Sequence, residues 1–133
     1  MRIAIVGLGA VGGLTAAMMA RAGIEVCALA RGATLEAVRR DGIRLIERGP
    51  EGERQSAFPL QVADTAQALG PVDLVMVSVK APALPQIADA VAALLGPETA
   101  ILSAMQRTTL RSCEMNNIAR PRSRCRSRST LRI

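Results

Sequence analysis

The chain has 133 residues, half of them apolar, with one aromatic residue and no histidine. This length fits one domain, and a core of Val, Ile, Leu, Ala and Met suits a parallel sheet covered by helices. Cys27, Cys113 and Cys125 lack the spacing of metal ligands, and no histidine could complete a set, so the composition excludes a typical zinc site. A reducing cytoplasm fits this cysteine content best.

The net charge of +6 is concentrated at one end of the sequence. Residues 107–133 carry eight arginines and one acid, whereas residues 1–106 have a net charge of −1. The basic segment has no sustained helical or alternating period, which predicts a disordered Arg/Ser-rich tail after a globular domain of residues 1–106. A flexible polycation binds polyanions through counterion release, but this tail has no aromatic side chain to stack on bases. We expect no specific nucleic-acid partner and no membrane partner.

The first predicted elements are a strand, a glycine turn and a helix. Ile3–Val6 is typical of a buried parallel strand, and Gly7, Gly9 and Gly12 follow it with GxGxxG spacing. Gly7 would make the tight turn, Gly9 would let the backbone approach a pyrophosphate, and Gly12 would let helix and strand pack closely. The phosphates would lie at the helix N-terminus. The predicted cofactor-binding residues of this loop are Gly7, Leu8, Gly9, Ala10, Val11 and Gly12.

The helix after the glycines is small or apolar on almost every face, which predicts a buried helix with Met18 and Met19 as core filler. Because residues 3–20 are uncharged and follow Met1-Arg2, the stretch can also be interpreted as an export signal. The glycines at strand, turn and helix positions favour the nucleotide-binding interpretation. A membrane-spanning helix fits this stretch less well than an export signal does, because small residues offer little apolar surface to lipid.

A second strand is predicted at Glu25–Ala30, after a helix end marked by Gly23, and it completes a βαβ unit. It leads into Arg31, where an NAD-selective site usually has an acid that binds the ribose 2′-hydroxyl. A guanidinium pairs instead with the 2′-phosphate of NADP, so the predicted cofactor is NADP(H). The alternative is a solvated arginine at a strand end.

The middle of the chain is predicted to make a local antiparallel excursion before the sheet resumes. Thr34 is predicted to cap a helix that ends at Asp41-Gly42. The later predicted elements are a strand around Ile43 and Leu45, a turn at Gly49–Gly52, a strand at Phe58–Val62, a short helix at Asp64–Leu69, a central strand at Asp73–Val79, a helix at Pro82–Leu95 and a strand at Thr99–Ser103. The fold class they predict is α/β, a Rossmann-type doubly wound, mainly parallel sheet.

Lys80 follows the central strand, at the carboxyl edge where open α/β sheets bind ligands. Its ammonium could contact cofactor phosphate or ribose, or a substrate carboxylate or keto oxygen. The alternative is a solvated lysine. Lys80 is therefore the candidate catalytic residue and a further candidate cofactor contact.

Together, the early glycine loop, Arg31, the strand into Lys80-Ala-Pro and the strand into Ala104-Met105-Gln106 resemble the cofactor domain of the ketopantoate reductases (2-dehydropantoate 2-reductases). The resemblance implies NADPH-dependent reduction of a 2-keto acid to a 2-hydroxy acid, the pantoate step of pantothenate and coenzyme A synthesis. It also implies that the glycine loop cradles pyrophosphate, that Arg31 binds the 2′-phosphate and that Lys80 lies near cofactor and substrate.

The sequence departs from this family after about residue 105. Gln106-Arg107 stand where members usually have Asn-Gly, and the helical second domain that supplies the family's lysine general acid is missing. Gln-Arg encoded as CAA-CGG reads Asn-Gly one base later, so we expect an out-of-frame, truncated product of a once complete reductase gene. DNA that restores no second domain in any frame would contradict this expectation.

A truncated cofactor domain would bind NADP(H) with little or no turnover, because general acid catalysis and substrate orientation would be lost. It could also expose apolar surface and self-associate. Two alternatives remain: a fragment of another NADP-dependent 2-hydroxyacid dehydrogenase, and a non-enzymatic protein that binds polyanions through its basic tail.

Overall fold

The computed structural model describes residues 1–104, so the expectations for Gln106-Arg107 and the basic tail lie outside the described residues. The elements in chain order are β1 (Arg2–Val6), α1 (Ala10–Arg21), β2 (Glu25–Leu29), α2 (Gly32–Asp41), β3 (Ile43–Gly49), β4 (Gly52–Phe58), β5 (Gln61–Ala63), β6 (Val72–Val77), a 3₁₀ turn (Ala81–Ala83), α3 (Leu84–Ala92) and β7 (Leu95–Ser103).

Five strands form one parallel sheet in the order β5-β2-β1-β6-β7. The chain moves outward from β1 through β2 to β5, then returns to the other side of β1 with β6. Strand order therefore reverses between β1 and β6, and the carboxyl ends of those strands flank the crevice where such sheets bind ligands. This arrangement confirms the predicted Rossmann-type fold.

Each face of the sheet has its own apolar core, because successive side chains of a strand point to opposite faces. Ile3 and Ile5 of β1 face a core that includes residues of α1, α2 and β3. Ala4 and Val6 face the other core, which is closed by Ile87 and Val91 of α3 and by Leu94 just after it. Helices on both faces explain why β1, β2 and β6 are almost continuously apolar.

The predicted antiparallel excursion is confirmed as the β3–β4 hairpin, which pairs Ile43 with Phe58 and Gly49 with Gly52. Ile43 and Leu45 are buried against the core of α1 and α2. The outer part of the hairpin, from Ile46 to Gln55, is exposed on both faces.

Helix α1 ends as predicted. Gly23 has φ +75°, its N–H donates to Ala20 O, and the Ile24 N–H donates to Met19 O, so these two carbonyls near the helix end are satisfied in a Schellman arrangement. The expectation of a helix buried on most faces was wrong, however. Val11, Leu14 and Met18 share one stripe and are 44, 53 and 47% exposed, so Met18 is not core filler.

Several predicted boundaries were wrong, each for a local reason. Thr34 does not cap α2, because the helix begins two residues earlier at Gly32 and Arg31 is its N-cap. The Phe58–Val62 strand is divided at Pro59, which has no N–H to continue the ladder. The predicted Asp64–Leu69 helix is only a single turn, in which the N–H groups of Leu69 and Gly70 both donate to Ala66 O. A segment this short forms too few hydrogen bonds to offset the cost of starting a helix.

The last predicted helix was too long and the last strand too short. A 3₁₀ turn precedes α3, the helix stops at Ala92, and β7 starts at Leu95 rather than Thr99. β7 is an edge strand with an irregularity opposite β6, which is where a sheet tolerates a residue such as Pro97. Leu94 remains fully buried in the turn between the two elements.

The amino edge of the sheet is tied together by Arg2. Its backbone N–H donates to Asp73 Oδ2 at 2.7 Å, and its guanidinium lies 2.8 Å from Gln61 Oε1 and 3.2 Å from Glu25 Oε1. The Thr99 hydroxyl donates to Val72 O at the same edge. Polar groups of all five strands of the sheet thus take part in contacts at this edge.

Cys27 of β2 is a buried free thiol. Burial raises the pKa of this thiol, and the nearby Arg2 guanidinium opposes that effect. At neutral pH it therefore behaves as a small apolar core residue.

Candidate functional site

The glycine turn after β1 needs glycine at its first position. Gly7 has φ +99°, a region that L side chains rarely adopt. A Cβ on Gly7 would lie 2.8 Å from Val79 Cγ1 and 3.3 Å from Val79 N. Its N–H donates to Leu29 O at 3.4 Å, which holds the turn against β2.

Gly12 lies where α1 crosses the turn at closest approach. A Cβ at this position would overlap Gly7 O and Ser78 Oγ. The predicted role of Gly12, close packing of helix on strand, is therefore confirmed by geometry.

The N-terminus of α1 is open. Gly9 is its N-cap without a side-chain hydrogen bond to the helix, there is no acidic residue in the first turn, and the first intrahelical bond runs from Gly13 N to Gly9 O at 2.7 Å. The amides of Ala10, Val11 and Gly12 therefore have no acceptor within the helix. A Cβ on Gly9 would meet no atom within 4 Å. Unpaired amides, the positive end of the helix dipole and open space together make a place for an anion.

A groove of about 360 Å³ runs along the carboxyl edge of the sheet beside this turn. It is lined by Val6, Gly7, Leu8, Gly9, Leu29, Ala30, Arg31, Thr34, Asp64, Val79, Ala83, Gln86, Ile87 and Ala90. Apolar side chains form most of the wall, and Arg31 is the only cationic residue among the lining residues. Such a groove suits a planar base and ribose with a phosphate at the cationic end.

The structure brings some of the predicted site residues together and leaves others outside the groove. Gly7, Leu8, Gly9 and Arg31 all line it, whereas Ala10, Val11 and Gly12 form the adjoining helix start. Lys80 is exposed and is the N-cap of the 3₁₀ turn after β6, so it lies at the same edge but not in the groove wall.

Sequence reasoning did not place several polar residues of this edge in the site: Thr34, which it assigned only a capping role, Asp64, Ser78 and Gln86. Ser78 carried a signal, since it is the polar residue that interrupts an apolar central strand. Thr34, Asp64 and Gln86 enter the groove through the turn after β5 and the starts of α2 and α3. Their positions depended on boundaries that the sequence pattern did not place correctly.

A second cavity, of about 380 Å³, lies between the end of α2 and the β3–β4 hairpin, away from the glycine turn. Its charged lining includes Arg40 and Asp41, which pair with each other through two hydrogen bonds of 2.8 Å. Arg39, the third charged lining residue, lies 3.8 Å from Glu36 Oε1. Residues 1–104 contain no cluster of three or more potential metal-binding side chains and no helix long and apolar enough to cross a membrane.

A glycine turn and open helix N-terminus at the strand-order reversal, beside an apolar groove, define a dinucleotide-binding domain. Comparisons with known proteins specify this class further. The family described as Ketopantoate reductase PanE/ApbA matches residues 3–106. A 2-dehydropantoate 2-reductase of Mesorhizobium japonicum is 42% identical over 104 residues, which cover 77% of this chain and 31% of that protein.

Two solved structures give the same result. A Ralstonia solanacearum protein assigned to the ketopantoate reductases is 47% identical with a TM-score of 0.73, over 79% of this chain and 32% of that one. A PanE/ApbA family ketopantoate reductase from Ralstonia eutropha is 30% identical with a TM-score of 0.70, over 80% of this chain and 34% of that one.

The chain belongs to the ketopantoate reductase family. It spans about a third of the length of the relatives it matches. Family membership and the Rossmann-type fold imply a nicotinamide dinucleotide as cofactor.

Proposed function

We propose that residues 1–104 are the cofactor-binding part of an NADPH-dependent reductase that converts 2-dehydropantoate to pantoate in pantothenate and coenzyme A synthesis. The observation that carries the proposal is one groove that joins the open N-terminus of α1 to the Arg31 side chain. The amides at the helix start would hold the pyrophosphate, and Arg31 would hold the 2′-phosphate.

When bound, the nicotinamide supplies the hydride that reduces the keto carbon of the substrate. This chain's own residues hold and orient the cofactor. Gly7 and Gly12 fix the turn by close packing, while Gly9 leaves room for phosphate oxygens near the amides. Lys80, exposed at the same sheet edge, is proposed to contact cofactor or substrate.

The full reaction needs more of the protein than residues 1–104 supply. We propose that residues 1–104, which match about a third of their relatives' length, bind NADP(H) but by themselves reduce a 2-keto acid weakly or not at all. The chain would act in the cytoplasm, which matches its free buried thiol.

Copies of the chain would self-associate through the exposed apolar stripe of α1, formed by Val11, Leu14 and Met18. Sedimentation at rising protein concentration would detect this association.

Titration of the full chain with NADPH and NADH, followed by fluorescence, tests the proposal. We expect NADPH to bind more tightly than NADH. Arg31→Glu should raise the Kd for NADPH about 10- to 100-fold with little effect on the Kd for NADH, since a charge-assisted phosphate contact is replaced by repulsion. Arg54→Glu is the matched control because it makes the same charge change on the distant hairpin. Equal affinity for both cofactors, or equal effects of the two variants, would refute the NADP assignment.

Turnover is measured separately, by NADPH absorbance in the presence of 2-dehydropantoate. We expect a rate close to background with saturating NADPH. Rapid reduction by the isolated chain would contradict the proposal that the remaining machinery lies elsewhere.

A further inference from the structure

Ser78 connects the end of β6 to the glycine turn by side-chain hydrogen bonding. Its Oγ lies 2.6 Å from Gly7 O and 3.3 Å from Val6 O, and its N–H donates to Val6 O at 3.0 Å. The hydroxyl is half-buried and spans 71 residues of sequence to reach the turn. The residue therefore sits between β1 and β6, where the strand order reverses.

The geometry around Ser78 leaves the hydroxyl little freedom. A Cβ on Gly12 would overlap both Ser78 Oγ and Gly7 O, so these two atoms occupy the space that a side chain on α1 would fill. The neighbouring Val79 packs against Gly7 in the same way. Gly7, Gly12, Ser78 and Val79 form an interlocked unit in which Ser78 supplies the hydrogen bond.

That hydrogen bond fixes a peptide plane of the proposed phosphate site. In a trans peptide the C=O of one residue and the N–H of the next point in opposite directions, and no cis bond is present among residues 1–104. With Gly7 O held toward Ser78, the Leu8 N–H must point away from β6. The described residues offer the Leu8 N–H no hydrogen-bond partner, and Leu8 lines the groove.

We propose that Ser78 is a positioning residue for the cofactor: by holding Gly7 O, it orients the Leu8 amide and the following turn toward the pyrophosphate. This inference rests on the proposed function, because it assumes that the groove binds NADP(H). Ser78 does not touch the cofactor itself. It acts by keeping the turn preorganised, so that binding does not have to order it.

Calorimetric titration of the full chain and of Ser78→Ala, with NADPH and with adenosine 2′-monophosphate, tests this role. We expect Ser78→Ala to raise the Kd for NADPH about three- to tenfold, the equivalent of one neutral hydrogen bond. Binding of the monophosphate, which has no pyrophosphate, should be unchanged. That second ligand also verifies that the groove of the variant is folded.

Thr99→Val is the matched control. It removes a hydroxyl of β7 that donates to the backbone carbonyl of Val72 at the start of β6, at the opposite edge of the sheet. It should lower the melting temperature without changing the Kd for either ligand. If Ser78→Ala binds NADPH as tightly as wild type does, or binds both ligands more weakly by the same factor, the role of Ser78 is overturned while the proposed function stands. Failure of wild type to bind NADPH would overturn the proposed function, and the inference with it.

Discussion

At the amino edge of the sheet, side chains from different strands bond to one another and to the backbone, whereas at the carboxyl edge the first amides of α1 have no acceptor within the helix. Arg2 donates to Asp73 and Gln61 from its backbone and side chain, and Thr99 closes onto Val72. At the other edge, the start of α1 has no side-chain cap, and open space surrounds the Cβ position of Gly9. We infer from this difference that one edge stabilises the sheet and that the other serves the proposed cofactor binding.

This contrast also explains the distribution of glycine and charged residues. A network of side chains can hold strands together, but it would fill the space that a phosphate needs. At the carboxyl edge, glycine backbone packs against neighbouring side chains, with Gly7 against Val79 and Gly12 against Ser78. The turn therefore has open space at Gly9, where we propose that the phosphates bind.

The largest expected effect comes from Gly12→Ala, which should disrupt both stability and binding. Its Cβ would overlap Gly7 O and Ser78 Oγ, which cannot move without displacing β1 or β6. We expect a loss of about 3 kcal/mol in the free energy of unfolding and no measurable NADPH binding. Urea denaturation and fluorescence titration measure the two quantities.

The adjacent Gly13 provides the control for that variant. A Cβ there would meet Leu8 O at 3.7 Å, an ordinary contact. Gly13→Ala should therefore stabilise the chain by about 0.5–1 kcal/mol through helix propensity and preserve binding. Similar losses for the two variants would show that the close approach at Gly12 is unimportant.

A smaller, purely structural effect is expected at the amino edge. Arg2→Ala removes the guanidinium contacts to Gln61 and Glu25 and should cost about 2 kcal/mol of stability, with the NADPH Kd unchanged. Arg48→Ala breaks a pair with Glu53 in which the arginine side chain is 84% exposed, so it should cost less than about 0.5 kcal/mol. A change in NADPH affinity for Arg2→Ala would mean that the two edges are not independent.

The sequence predicted the parts of the molecule that local chemistry determines. The glycine spacing, the β-branched run of β1 and the apolar run of β6 were sufficient for the sheet and the glycine turn. The hairpin was predicted from the alternation around Ile43 and Leu45 and from the turn at Gly49–Gly52. The sequence did not predict the extents of α3 and β7. Gly96-Pro97 is a common signal for the end of a helix, but here both residues lie within an edge strand, which tolerates them.

The same limit applies to the candidate site. Gly7, Gly9 and Arg31 could be placed from motif spacing, since each is fixed by the βαβ unit itself. Ser78 acts across 71 residues of sequence, and its contact with Gly7 O depends on β6 lying beside β1. No local pattern contains that information. The exposure of Met18 was missed for a related reason, because apolar composition does not show which side of a helix is covered.

Gly9→Ala tests the central claim most directly, with Gly49→Ala as control, because at both positions a Cβ would meet no atom within 4 Å. Both variants should remain folded, with Gly9→Ala losing at most about 1 kcal/mol because alanine caps a helix less well than glycine. If the open helix start binds phosphate, a methyl group there should raise the Kd for NADPH at least about tenfold, while Gly49→Ala leaves it unchanged. An unchanged Kd in folded Gly9→Ala would contradict the account.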